Sequence, residues 1–120
     1  MLPAASRAEC VDAYRRGLAT AASLLRQIGP EVRRSDVCAQ ILRMRLHCGL
    51  PIDRAAAAEE AAWCRGYRYA DGDARHRGGF SFGSNGHGLM PFVNPVSAAF
   101  CMQALDEWET GQPAIESRLI

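Results

Sequence analysis

Apolar residues along the chain fall into four runs of helical spacing and one short alternating stretch. Val11, Tyr14, Leu18, Ala21, Leu25 and Ile28 recur at steps of three and four, which predicts an amphipathic helix over about 7–28. Ser6 and Glu9 have the spacing of a capping box, in which each side chain answers the other residue's free backbone N–H. Gly29-Pro30 stops the run, and Asp12, Arg16 and Ser23 make the opposite face polar, as in an outer, half-exposed helix. A second run over about 36–48 carries Val37, Cys38, Ile41, Leu42, Met44 and Leu46 on a broad apolar face, with Arg43 and Arg45 at its edges. Gly49 then offers a left-handed C-cap, and Pro51 prevents continuation. A third helix over about 54–65 takes Asp53 as its cap and runs through Ala55, Ala56, Ala57 and Ala58 to Cys64. Alanine is the best helix former and lets neighbouring backbones approach. The short link between the second and third helices makes them antiparallel neighbours.

The last helix, about 95–109, begins at Asn94 as N-cap with Pro95 in the first helical position, and Gly111 ends it. From Pro95 to Leu105 it is apolar nearly all round, and such a helix must be covered on every side. Three other helices in 120 residues do this poorly, so the chain reads as a piece of a larger helical barrel, or as one completed by a partner.

Residues 66–93 follow a different pattern and hold seven of the 11 glycines. Phe80 and Phe82 alternate with Ser81, and Met90 and Phe92 with Pro91, which predicts a hairpin turning at 84–88 with its aromatics on one face. Long ordered loops of this kind are often functional. The expected fold class is therefore all-α, one domain over 1–120, with a short glycine-rich β-hairpin before the last helix.

Composition narrows the function classes. A net charge of +1 gives no reason to expect nucleic acid or acidic lipid. All 14 basic residues are arginine, and they are scattered rather than clustered, which fits codon usage better than an arginine-seeking function. No apolar run approaches the length of a membrane span, and the charged first 30 residues contain no signal-peptide core. Five cysteines, mostly at helical positions, read as reduced, packed thiols, hence a cytoplasmic protein.

The Gly78-Gly79-Phe80-Ser81-Phe82 turn, followed by a helix carrying Phe100-Cys101-Met102-Gln103-Ala104-Leu105, resembles a repeat of the α/α-toroid superfamily. Terpenoid cyclases and protein prenyltransferases belong to it. The resemblance spans roughly 35–110 and is specific over about 78–105. It implies antiparallel helices in concentric inner and outer rings, of which this chain is a partial, C-terminal segment, with an active site in the central cavity. The catalytic motifs of those families do not carry over. The cyclase Asp-x-Asp-Asp meets Asp71-Gly72-Asp73-Ala74, without the last acid, and the prenyltransferase zinc positions hold Arg77, Gly79 and Ser97.

Candidate chemistry is sparse. No Cys-x-x-Cys or His-x-x-x-His spacing exists, so neither a metal nor a cofactor is expected. Asp71 and Asp73 open like a calcium loop, but Arg75 takes the third ligand place, and a solvated turn is the better reading. His87, His76 and Asp73 are the candidate acid–base groups. Arg75, Phe80, Phe82, Asn94, Ser97 and Gln103 are the candidate substrate contacts, although Asn94 also serves as a cap and Phe80 and Phe82 also suit a wall. Two functions stay open at this point. One is a toroid enzyme segment whose 66–97 loop lines a cavity for a polar (sugar-like or anionic) or isoprenoid substrate. The other is a non-catalytic helical module that docks a partner or self-associates.

Overall fold

The computed structural model describes residues 3–47, 51–69 and 78–111. Among them the fold is mainly helical. Its elements in chain order are α1 (Ala4–Ile28), β1 (Val32–Arg34), α2 (Ser35–Leu46), α3 (Arg54–Gly66), β2 (Gly83–Asn85), β3 (Gly88–Leu89) and α4 (Pro95–Thr110).

Helix α1 starts earlier than its sequence suggests. Pro3 is the N-cap without a side-chain cap bond, and the Arg7 N–H reaches Pro3 O at 3.0 Å, so the expected Ser6–Glu9 capping box does not form. Ala4 and Ala5 are good helix formers and carry the helix past Ser6. Only Leu18, Ala22 and Leu25 of α1 are buried, all in its second half. Val11 and Tyr14 face solvent, and Tyr14 Oη donates to Met44 O at 2.7 Å.

The two caps expected downstream are present. Asp53 Oδ1 accepts from Ala56 N at 3.0 Å. Asn94 Oδ1 accepts from Val96 N at 2.9 Å and Ser97 N at 3.2 Å. Gly111 closes α4 in the left-handed region at φ 69°, a conformation that costs glycine no Cβ clash. Gly49 lies outside the described residues.

Ser35 departs from its expected place just ahead of α2. It is the first helical residue and is fully buried. Its N–H donates to Phe82 O at 2.9 Å, and its hydroxyl is shared between Ser81 O at 2.7 Å and Phe82 O at 2.9 Å. The start of α2 is thereby tied to the hairpin.

The hairpin itself lies where alternation placed it, with its regular pairs one step further in. Strand β2 pairs with β3 through Ser84 to Leu89 and Asn85 to Gly88. Hydrogen bonds continue outward from Phe82 N to Phe92 O at 3.1 Å and from Asn94 N to Phe80 O at 3.4 Å. The third strand, β1, was not expected. It pairs antiparallel with β2, Val32 to Asn85 and Arg34 to Gly83. Gly83 is required there: a Cβ would meet Arg33 O at 2.5 Å. The two phenylalanines do not share one environment. Phe80 is in the core, while Phe82 is half-buried and stacks on Phe92 with centroids 5.4 Å apart.

Helix α2 is central and touches all three other helices. Helix α4 runs parallel to it: Cys101 Sγ, midway along α4, reaches Ser35 O at the start of α2, and further along α4 Glu107 meets Arg43 and His47 near the end of α2. Helix α3 runs antiparallel to α2. The buried surfaces are built from small side chains: Cys38 and Ala39 on α2, Ala57, Ala61 and Cys64 on α3, Cys101 and Ala104 on α4. Small residues at the contact shorten the distance between helix axes. Leu42, Tyr67 and Phe80 supply the bulk. Helix α4 is not covered all round as expected. Its buried stripe is Ser97, Cys101, Ala104 and Glu107, and Val96 and Met102 stand 58% and 62% exposed.

Two carboxylates lie inside these contacts. Glu60 of α3 accepts both Arg45 Nε at 2.9 Å and Arg45 Nη2 at 2.7 Å, with Arg26 Nη2 at 3.2 Å. Glu107 of α4 holds Arg43 Nε at 3.2 Å and His47 Nε2 at 2.7 Å. Arg45 is thus a buried partner and not an edge residue.

Two stability measurements check this core. Phe80→Ala is expected to cost about 3–5 kcal/mol in urea unfolding, the range for emptying a buried aromatic site. Glu60→Ala is expected to cost about 3–5 kcal/mol, because it strands the Arg45 charge, and adding Arg45→Met is expected to recover part of that loss.

Candidate functional site

The described candidate residues sit in different surroundings. His87 sits on the hairpin turn, exposed, with its N–H held by Asn85 Oδ1 at 2.8 Å. Asn94 spends its Oδ1 on the α4 cap. Ser97 is 1% exposed under α4, and Phe80 is 4% exposed in the core, so neither presents a surface to a ligand. Gln103 is half-buried further along α4. Phe82 lies between the Phe92 ring and the Arg34 guanidinium, which stands 4.9 Å from its centroid. Asp73, Arg75 and His76 lie outside the described residues. Among the described residues no group of three or more His, Cys, Asp or Glu has the arrangement of a metal site, and no helix is long and apolar enough to cross a membrane.

Three of the four described thiols are packing elements. Cys38, Cys64 and Cys101 are fully buried, whereas Cys10 is exposed on α1. Burial pushes the Cys38 thiol from 9.0 up to about 12. The Cys64 thiol is held up by its shared hydrogen bond with Cys101 and by burial.

The feature with the form of a binding site is an apolar groove of about 760 Å³. Its walls come from four elements: Leu24, Leu25 and Ile28 of α1, Val32 of β1, Val37 and Ile41 of α2, and Phe100 of α4. Leu24, Ile28 and Val37 are 56%, 48% and 38% exposed. Single exposed aliphatics are ordinary, but a contiguous set in a concave surface marks a contact site. The rim is polar and carries both signs. Gln27 and Gln40 flank Arg34 and Asp36, which pair through Nε to Oδ1 at 3.1 Å and Nη2 to Oδ2 at 2.7 Å.

Helical periodicity gives α1 a single apolar stripe and so does not reveal this groove. Leu24 and Leu25 are adjacent and therefore point about 100° apart on a helix. Leu25 enters the core and Leu24, with Ile28 one turn on, forms a second apolar face. The doubled leucine was the available signal. The contributions of Val32 and Phe100 needed the three-dimensional fold.

No family model, curated protein or solved structure matches the chain.

Thiol labelling checks the packing. In the native protein a maleimide is expected to modify Cys10 and to leave Cys38, Cys64 and Cys101 untouched until denaturant is added, as read by peptide mass spectrometry. Alkali supplies the companion test. Because the Cys38 thiol is raised on folding, its contribution to stability is full below pH 9.0 and is lost as pH climbs towards about 12.

Proposed function

We propose that the chain is a non-catalytic helical interaction module that pairs with a second copy of itself through the groove between α1, β1, α2 and α4. The observation that carries this reading is the groove's combination of exposed Leu24, Ile28 and Val37 with a rim of mixed charge. A two-fold contact brings one patch against its own copy, so the patch must complement itself. A rim that holds Arg34 beside Asp36 suits this, since it offers both signs to a rotated copy, and the neutral glutamines add hydrogen-bonding groups. The net charge of +1 sets little repulsion against association. The apolar centre supplies the attraction and the rim sets the register, as in the core and rim of known protein interfaces.

The parallel, adjacent course of α2 and α4, with α3 returning antiparallel against both, supports a second reading, a segment of an α/α-toroid enzyme. In that reading α2 and α4 stand in the inner ring, and the 66–97 loop lines a cavity for a sugar-like, anionic or isoprenoid substrate.

Sedimentation velocity across the micromolar range separates the two. The first reading expects a concentration-dependent dimer. Ile28→Glu, which places a charge in the groove, is expected to weaken it by about 2 kcal/mol or more, as for a central interface residue. The unfolding midpoint should hardly change, since Ile28 is half exposed already. A wild-type chain that stays monomeric throughout would overturn self-pairing and leave the toroid reading.

A further inference from the structure

Side chains alternate across a strand, so Val32 and Arg34 turn to the apolar groove and Arg33 to the opposite face of β1. That face opens on a polar cleft. Arg33 there lies flat against Trp63 of α3, its guanidinium 4.3 Å from the ring centroid. Its Nε donates to Tyr67 Oη at 2.7 Å, and Tyr67 Oη donates back to Arg33 O at 3.1 Å. The side chain is therefore held in one place by a stack and a hydrogen bond. Among the described residues its terminal nitrogens have no hydrogen-bond partner. Four described arginines are buried or half-buried: Arg26, Arg33, Arg43 and Arg45. Arg26, Arg43 and Arg45 each have a carboxylate within salt-bridge distance, and Arg33 has none among the described residues.

The neighbouring charges balance without it. Among the described lining residues Arg26 pairs with Glu59, so Arg33 leaves the cleft one positive charge in excess. Ser84 and Asn85 of β2 complete the lining and bring further hydrogen-bonding groups. Asn85 Oδ1 is engaged by His87 N–H, which leaves its amide N–H groups as donors. At about 530 Å³ the cleft is larger than an inorganic ion and falls in the size range of small-molecule sites.

From this constellation we infer that the cleft binds a small molecule through an oxyanion group, a phosphate or a carboxylate, held by the terminal N–H groups of Arg33 with the Asn85 amide as a secondary donor. A guanidinium presents paired N–H groups in a fixed fork that matches two oxygens of either group. Trp63 and Tyr67 fix that fork before the ligand arrives, which removes side-chain ordering from the cost of binding.

The experiment uses Trp63 as reporter in a Trp108→Phe background, since the chain has two tryptophans. Inorganic phosphate and acetate are titrated separately at constant ionic strength, with chloride as the reference salt. A saturable change in Trp63 fluorescence with either anion is expected, and the anion that produces it names the source, phosphate or carboxylate. Arg33→Lys keeps the charge but loses the fork, and is expected to raise the dissociation constant at least about tenfold, the scale of one charge-assisted hydrogen bond. Arg65→Gln, at an exposed pair that does not line the cleft, should leave it unchanged. No response beyond that of chloride, or an undiminished response in Arg33→Lys, would overturn the site. Should Arg33→Lys fail to fold by circular dichroism, Asn85→Ala decides: weaker binding supports the site, and unchanged binding overturns it.

Discussion

Glu60 and Glu107 are almost wholly removed from water, and both are answered from the same helix, α2. Much of the arrangement depends on this. A buried carboxylate without a partner is costly, so α3 can sit against α2 only where Glu60 meets Arg45, and α4 only where Glu107 meets Arg43 and His47. Alanine, cysteine and serine stripes let the helices come close but are nearly featureless along their length, and they would tolerate a slip by a turn. The ion pairs do not tolerate it. Close packing and charge pairing thus divide the work: small residues set the distance between helices, and the acids set their position along α2.

A second network does the same for the hairpin. The backbone of 80–83 passes beside the N-terminus of α2, where Ser35 binds two of its carbonyls. Ser81 Oγ reaches Gly83 O and Met90 O, both at 2.8 Å, across the hairpin. Tyr67 joins α3 to β1 and β2 through Arg33 and Ser84. Each of these side chains is small or rigid, and each bonds to a backbone carbonyl or a fixed neighbour. The hairpin is consequently seated on the helical layer by polar contacts as well as by Phe80. The groove and the cleft are the two sides of β1, the strand that this seating creates.

Most local signals in the sequence are sound guides, the Ser6–Glu9 box being the exception, and long-range ones are absent. Asp53 and Asn94 announced their helices because a cap acts within three residues of itself. Gly111 marked an end for the same reason. The alternation of Phe80, Ser81 and Phe82 announced a hairpin. Arg43 and Arg45 read as edge residues because their carboxylate partners lie 64 and 15 positions away, and no periodicity links them. Strand β1 was hidden for a similar cause: three residues leave no pattern, and it exists only because β2 offers it a partner. The expected polar site drew on Ser97, Asn94 and Phe80, whose structural tasks took precedence once capping and burial were settled. The apolar groove was half announced, by Leu24 beside Leu25.

The pairing of β1 with β2 carries a consequence for the order in which the chain folds. Arg33 and Ser84 face each other although α2 and α3 both lie between them in the chain. Closing so long a loop costs entropy before any contact is gained, and a ladder of three residue pairs returns little. Helices α2 and α3, by contrast, are neighbours in sequence and meet through a short link. Once they pack antiparallel, the two ends of the loop are already near each other and most of that entropy has been lost. The sheet is therefore a late acquisition on any economical route, and the half-formed chain carries the edges of β1 and β2 unpaired until the helical pair is complete.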